Sequence, residues 1–231
     1  MDFSEAFGTA LRLIVALDRH VLAAVAVSLQ VSLLAILLAT ACGIPLGFAV
    51  AARSFRGRRV LEMLLNTLTA LPTVVVGLLA YMLLARRGPL GPLGWLYTRT
   101  GMVFGETLLV TPLMAALTAA VVAGADPRIE ETALTLGASR SGAALTVLRE
   151  LPRGLLAAVA TGFGRLIGEL GVALMVGGNI EGATRTMTTA IALETSKGEF
   201  ALAFALGLIL LAVALAVNVA ASLLAGREAP G

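Results

Sequence analysis

Residues 21–52 have the sequence VLAAVAVSLQVSLLAILLATACGIPLGFAVAA and contain no charged side chain. A helix that crosses the hydrocarbon core of a bilayer needs roughly 20 predominantly apolar residues, and this stretch is long enough. The composition agrees, because charged residues make up 13% of the 231-residue chain and the mean hydropathy is +0.96, whereas soluble domains carry about 25% charge. The stretch therefore predicts a membrane protein.

Four further segments extend this prediction to five membrane spans. Residues 200–226 are apolar and uncharged, and three other segments carry a few polar positions: 60–85 with Glu62, 102–125 with Glu106, and 154–180 with Arg165 and Glu169. The first span is too long for a cleaved secretion signal. We expect an all-α protein in which residues 1–231 form a single transmembrane domain.

The first 20 residues have a different pattern. One helical face carries Phe7, Leu11, Ile14 and Leu17, and the opposite face carries Glu5, Thr9, Arg12 and Asp18. This separation is typical of a helix that lies at the membrane interface. The alternative is that the segment begins a longer first span.

An odd number of spans places the two termini on opposite sides of the membrane. One side would carry nine basic residues, namely Arg53, Arg56, Arg58, Arg59, Arg128, Arg140, Arg149, Arg153 and Arg227, and the other seven, namely Arg12, Arg19, Arg86, Arg87, Arg99, Arg185 and Lys197. The short loop RSFRGRR, residues 53–59, concentrates four arginines, and short loops count most in the positive-inside rule. We expect this side in the cytoplasm, with the N-terminus outside the membrane and the C-terminus inside.

The residue types that most catalysis and cofactor binding require are scarce. The chain has one histidine, His20, one cysteine, Cys42, and one lysine, Lys197, so a metal site with several converging ligands is not expected. A Walker loop needs Gly-Lys-Ser/Thr, but glycine follows Lys197. We expect neither an enzyme nor a bound cofactor. The net charge of +3 fits arginines on both sides of a lipid bilayer better than nucleic-acid binding.

Glycine pairs and prolines recur inside the predicted spans. Two pairs have the small-xxx-small spacing that lets helices approach closely in lipid: Gly43 with Gly47, and Gly164 with Gly168. Prolines bend helices, and three of the spans contain one, at Pro45, Pro72 and Pro112. We expect packing at the glycines and kinks at the prolines.

The segment 126–153 is polar and lies between two apolar spans. Asp126 and Pro127 are typical of a helix start, Glu130 and Glu131 complement the positive end of a helix, and Gly137 is suited to its end. The simplest interpretation is a surface helix that closes a loop.

The sequence ETALTLGAS, residues 131–139, suggests a more specific interpretation. It resembles the cytoplasmic signature of permeases of ATP-binding-cassette importers, in which Glu-Ala-Ala precedes Gly at a fixed spacing and an apolar residue and Leu-Pro follow. Glu131, Ala133 and Gly137 keep that spacing, but Thr132 replaces an alanine and the Leu-Pro pair comes two residues late. The resemblance implies a coupling helix that docks on an ATPase subunit through Glu130, Glu131, Ala133, Leu136, Gly137, Ala138, Ser139 and Arg140.

Further blocks, such as NTLTALPTVVVGLL and GRLIGELGVALMVGGNIEGATRTMTTAIALETSKGEF, resemble permeases of tungstate importers, which are close to those for molybdate and sulfate. The resemblance implies a MetI-like fold and a homodimer that transports a tetrahedral oxyanion by alternating access. Two ATPase subunits would hold ATP and Mg²⁺, and a periplasmic or lipid-tethered protein would deliver the oxyanion. An ion-driven secondary anion transporter is the alternative, although the chain shows no clear internal repeat.

Polar residues inside and beyond the fourth span are candidates for the translocation path or its gate. Arg165 and Glu169 share a helix face and could either neutralise each other or contact the anion. The connection to the last span offers Asn179, Thr184, Arg185 and Thr188, which could contact an oxyanion, cap a short helix or touch the binding protein. Glu62 and Glu106 are expected near span ends.

Overall fold

The computed structural model describes residues 3–16, 18–51 and 57–226. The predicted positions Leu17, Arg53, Arg56 and Arg227 lie outside this part of the chain. Within it, the regular structure consists of a short 3₁₀ turn at Gly91–Leu93 and eleven α-helices: α1 (Phe3–Val15), α2 (Arg19–Ala51), α3 (Arg58–Thr69), α4 (Thr73–Leu84), α5 (Arg99–Ala123), α6 (Pro127–Thr135), α7 (Arg140–Arg149), α8 (Pro152–Ile167), α9 (Gly171–Gly177), α10 (Met187–Lys197) and α11 (Phe200–Gly226).

Three of these helices, α2, α5 and α11, are long and apolar enough to cross a membrane. Two bent pairs, α3 with α4 and α8 with α9, bring the number of spans to five if each pair counts as one. This agrees with the predicted number, and the kink predicted at Pro72 is confirmed, but the expectation of one continuous helix over 154–180 is wrong. The axes bend by 95° in the first pair and by 58° in the second.

The first bend lies at Pro72. Helix α3 ends at Thr69, and Pro72 is the residue that precedes α4. A proline has no amide hydrogen to donate and disfavours a helical residue before it, so the chain leaves one helix and starts another. The prolines at 45 and 112 lie inside α2 and α5, which continue through them.

The second bend lies at Gly168–Leu170 and contains a buried carboxylate. Oε1 of Glu169 accepts a hydrogen bond from the amide of Val172 at 3.1 Å, and so satisfies one of the free amides at the start of α9. The carbonyl oxygen of Glu169 accepts a hydrogen bond from the Thr188 hydroxyl at 2.7 Å. The break between α8 and α9 is therefore tied to the start of α10.

Helix α2 packs closely along α5, which forms the centre of the bundle. A Cβ placed on Gly47 would lie 2.8 Å from Cβ of Thr118 and would overlap the carbonyl oxygen of Ala115. Gly43 faces Met114 and Ala115 in the same way. The predicted packing role of this glycine pair is confirmed.

The second glycine pair behaves differently. A Cβ on Gly164 or Gly168 would meet no atom within 4 Å in the described part of the chain. The pair therefore does not bring two helices together within the described part of the chain, and its packing against a second copy stays a prediction. The face of α8 that carries these glycines is open.

Helix α1 is separate from α2, so the alternative of one longer first helix is excluded. The Asp18 carboxylate accepts hydrogen bonds from the amides of His20 and Val21 and caps the start of α2. Helix α1 packs against α11, with the rings of Phe7 and Phe204 in edge contact at 5.9 Å. Its location at the membrane interface stays a prediction.

Candidate functional site

The polar segment 126–153 folds into two short helices, α6 and α7, which pack on each other. Oδ1 of Asp126 accepts a hydrogen bond from the amide of Arg128 at 2.9 Å, and Pro127 occupies the first turn of α6. This helix start was predicted from the sequence. The second helix was not predicted, although Ser139 signals it, because the Ser139 hydroxyl accepts a hydrogen bond from the amide of Gly142 at 3.1 Å.

Gly137 makes the turn between the two helices possible. Its φ is +88°, a value that side-chain-bearing residues rarely adopt and glycine adopts readily. The amide of Ala138 donates to the carbonyl of Ala133 at 3.0 Å, as in the usual glycine-terminated helix end. Glu131 lies in the middle of α6, and Gly137 lies two residues beyond the end of that helix.

The surface of this hairpin is partly apolar and open. Leu136 at the turn is 83% exposed, although Ala133 beside it is buried. A cleft of about 740 Å³ lies between the helices and is lined by Ile129, Ala133, Leu136, Ala138 and Thr146, among others. Glu130, Glu131, Ser139 and Arg140 are exposed around it. An exposed apolar site with a charged rim is typical of a protein interface.

The α6–α7 hairpin lies at the same end of the bundle as the described part of the arginine-rich loop. A cavity of about 290 Å³ is lined by Pro127 and Glu130 of the hairpin together with Ala51, Arg58 and Val122. Residues 124–126 join α5 to α6, and residues 150–151 join α7 to α8. Both connections are short, so the hairpin is held close to two spans.

Arg165 and Glu169 form the predicted ion pair near the bend between α8 and α9. Nη1 of Arg165 lies 3.3 Å from Oε2 of Glu169. The Glu169 side chain is 1% exposed, whereas that of Arg165 is 43% exposed. A charge at the centre of a span costs about 2.5–3.5 kcal/mol on insertion scales, so the open side of Arg165 must face water or protein rather than lipid tails.

Glu106 is more deeply buried than the sequence indicated. It is 2% exposed, and its Oε2 has no hydrogen-bond partner in the described part of the chain. It lies close enough to Glu169 for the two carboxyl groups to interact electrostatically. From the sequence, Glu106 was expected near a span end. Its burial results from the packing of α9 against α5, which the sequence does not show.

The candidates Asn179, Thr184, Arg185 and Thr188 all have protein partners. The buried Thr184 hydroxyl donates to the carbonyl of Gly177 at 2.6 Å and accepts from the amide of Ile180. Nε of Arg185 donates to the side chain of Asn179 at 3.2 Å. These bonds stabilise the turn after α9, and Thr188 bonds to Glu169. Contact of any of them with an anion stays a prediction.

Two residues that the sequence analysis did not single out as contacts hold the same connection in place. Arg99 donates to the carbonyls of Ala183 and Gly182 and, at 2.7 Å, to the side chain of Gln30. Nδ1 of His20 lies 2.6 Å from Oε1 of Glu181. Long-range hydrogen bonds of this kind join the starts of helices to a distant loop, and no local sequence pattern predicts them.

Glu181 lies outside the spans and has an altered acidity. The hydrogen bond from His20, and then the positive charge of Arg185, hold the pKa of the Glu181 carboxyl below its ordinary value of 4.5. A carboxylate favoured in this way contributes to stability when it is ionised. The bond between the start of α2 and this loop is therefore present at neutral pH.

Comparison with known proteins shows clear relatives. Residues 43–229 match the family described as "Binding-protein-dependent transport system inner membrane component". The tungstate uptake system permease protein TupB of Peptoclostridium acidaminophilum is 40% identical over 215 residues, which cover 93% of this chain and 94% of that protein. The molybdenum transport system permease protein ModB of Escherichia coli (strain K12) is 31% identical over 186 residues, or 76% of this chain and 81% of that protein.

A solved structure has the same architecture. The crystal structure of an amino acid ABC transporter with histidines contains a chain that matches with a TM-score of 0.70 and 16% sequence identity. The match covers 99% of this chain and 99% of that one. At this identity the likeness concerns the fold alone.

Proposed function

The chain belongs to the family of binding-protein-dependent transport system inner membrane components, and we propose that it is the permease of an ATP-driven importer for a tetrahedral oxyanion. The family and the all-α permease fold were both expected from the sequence and are confirmed. The observation that carries the functional proposal is the α6–α7 hairpin, which is polar, partly apolar at its turn and joined directly to two spans.

The hairpin is the surface on which an ATPase subunit would dock. The exposed Leu136 and the cleft beside it offer an apolar anchor, and Glu130, Glu131 and Arg140 offer a charged rim. ATP and Mg²⁺ would bind to that separate subunit, and this chain would bind no cofactor. Closure of two ATPase subunits would push the hairpins and change which side of the membrane the passage faces.

The complete assembly would contain two copies of this chain, two ATPase subunits and an oxyanion-binding protein, periplasmic or lipid-tethered. The hairpin end of the bundle would lie in the cytoplasm of the cell, because the ATPase subunits need ATP there. Five spans then place the N-terminus outside the inner membrane and the C-terminus inside.

Tungstate is the first choice of cargo, with molybdate and sulfate as alternatives. The tungstate permease matches nearly the whole chain at 40% identity, against 31% for the molybdenum permease. All three anions are tetrahedral and carry two negative charges, so the binding protein is expected to make most of the distinction.

Reconstitution tests this function. The chain, its ATPase and its binding protein are placed in liposomes that contain ATP, and the uptake of tungstate, molybdate and sulfate is measured by mass spectrometry of the metals and by radiolabel. We expect ATP-dependent uptake with tungstate favoured. Uptake by the chain alone that an ion gradient drives and ATP does not affect would refute the proposal in favour of a secondary transporter.

A further inference from the structure

Arg165 lies deep within the membrane-spanning part of the chain. At a rise of about 1.5 Å per residue, it is about 20 Å along α8 from Pro152, and it lies in the last turn of that helix, before the 58° bend into the seven-residue α9. The hydrocarbon core is about 30 Å thick. The guanidinium is therefore far from the headgroup phosphates at the hairpin end of the bundle, and the bend and α9 lie beyond it.

The surroundings of Arg165 leave room on one side. The neighbouring glycines at 164 and 168 have nothing within 4 Å of where a side chain would begin, and Thr161, one turn earlier on α8, is exposed. A cation on an open face of small and polar residues does not fit a surface covered by lipid tails. This face of α8 is therefore suited to a water-filled passage.

Most N–H donors of the Arg165 guanidinium have no protein partner in the described part of the chain. Within the described part of the chain, its one hydrogen bond to protein is the 3.3 Å contact from Nη1 to Glu169, whereas a guanidinium carries five N–H donors. Arg99 and Arg185 differ, because both use several donors to hold the distal connection. Among the described helices, Arg165 is the cation that is far from a span end and also has free donors.

Glu169 is fixed in position. Its side chain is almost fully buried, and its second oxygen accepts the amide hydrogen of Val172. The Glu169 carboxylate therefore cannot move with the Arg165 guanidinium toward the open side. An anion that approaches Arg165 from the open side therefore meets a guanidinium whose charge is partly balanced from behind.

We propose that Arg165 is a transient contact for the transported dianion and that Glu169 keeps this contact weak enough for release. The inference rests on the proposed function, and it names the residue of that passage which meets the cargo. A guanidinium matches the oxygens of a tetrahedral dianion through charge-assisted hydrogen bonds. Conduction through a membrane requires binding that is favourable but weak, and the fixed carboxylate supplies the weakening.

The decisive experiment compares single and double neutral variants in the reconstituted complex. Arg165→Gln is expected to lower tungstate uptake by about tenfold, the effect of losing one charge-assisted contact, while ATP hydrolysis stimulated by the binding protein persists. Arg165→Lys should retain part of the uptake. The double variant Arg165→Gln with Glu169→Gln removes both charges of the pair, so that neither side chain of the pair is left as an unpaired charge.

The double variant separates the proposal from a purely structural ion pair. If the pair served only mutual neutralisation, the double variant would regain normal uptake, and that result would overturn the proposal. We expect it to remain as low as Arg165→Gln. Arg87→Gln, at an exposed arginine beyond α4, is the matched control and should transport normally.

A direct binding measurement tests the role of Glu169. Glu169→Gln keeps an oxygen that can accept from Val172 but removes the charge opposite Arg165. The purified complex of this variant should retain more tungsten after gel filtration than the wild type, and the double variant should retain none. Equal tungsten contents in wild type and Glu169→Gln would refute the weakening role. Loss of oxyanion uptake in the wild-type complex itself would instead refute the proposed function.

Discussion

Residues of one type have different roles in this chain because their surroundings differ. Gly47 faces the backbone of α5 at close range, Gly137 provides a positive φ, and Gly164 faces open space. Arginines differ in the same way, since Arg99 is committed to backbone carbonyls and Arg165 is not. The effect of a substitution therefore depends on these contacts more than on the residue type.

A substitution at Gly47 should destabilise the bundle. Gly47→Ala places a methyl group against the Ala115 carbonyl and the side chain of Thr118, so α2 and α5 must move apart. We expect a loss of about 1–3 kcal/mol, as is typical of overpacked cores, seen as a lower midpoint of thermal denaturation in detergent. Gly207→Ala on α11, where a Cβ meets nothing within 4 Å, is the control. Equal midpoints for the two variants would contradict this account.

The acidity of Glu181 should depend on His20. In the wild type its pKa is below the ordinary value of 4.5, so the bond between α2 and the loop persists at neutral pH and is lost as the pH falls through that lowered value. His20→Ala removes the main cause and should raise the pKa of Glu181. Carboxyl-carbon NMR of the labelled protein measures this, with Arg12→Ala as the control. An unchanged titration in His20→Ala would show that the bond is absent in solution.

The elements of the fold were predictable to different degrees. The apolar runs indicate five spans, and Asp126 with Pro127 marks the start of α6, because these signals are local. The break at Gly168–Leu170 was missed, since the glycine spacing there is also typical of helix packing, and the bend is stabilised by the hydrogen bonds of Glu169 to Val172 and to the distant Thr188. The burial of Glu106 and the openness of Arg165 depend on how distant helices pack, which one sequence does not reveal.

The α6–α7 hairpin is the element on which assembly with the ATPase should depend. Leu136→Asp puts a charge at the most exposed apolar position of its turn, where burial against a partner would then be unfavourable. We expect loss of co-purification with the ATPase and of ATP-dependent uptake, with an unchanged melting temperature of the chain alone. Leu145→Asp, an exposed position on α7 away from the cleft lining, provides the comparison. Normal co-purification of Leu136→Asp would exclude this docking site.

At the scale of the whole molecule, one chain is expected to form half of the passage. The exposed apolar residues of α4 leave a surface that a second copy would cover. Native mass spectrometry of the complex with its ATPase should give two copies of each chain. A complex with a single copy of this chain that still transports an oxyanion would refute the homodimer.

The short connections at residues 124–126 and 150–151 limit how far the α6–α7 hairpin can move independently of the spans. A three-residue and a two-residue link offer little slack, at about 3.5 Å per extended residue. A displacement of the hairpin by an ATPase subunit would therefore reach α5 and α8 together. Since α8 carries Arg165, the displacement that opens the passage would also move the guanidinium relative to the oxyanion. The opening of the passage and the release of the oxyanion would then follow from one motion.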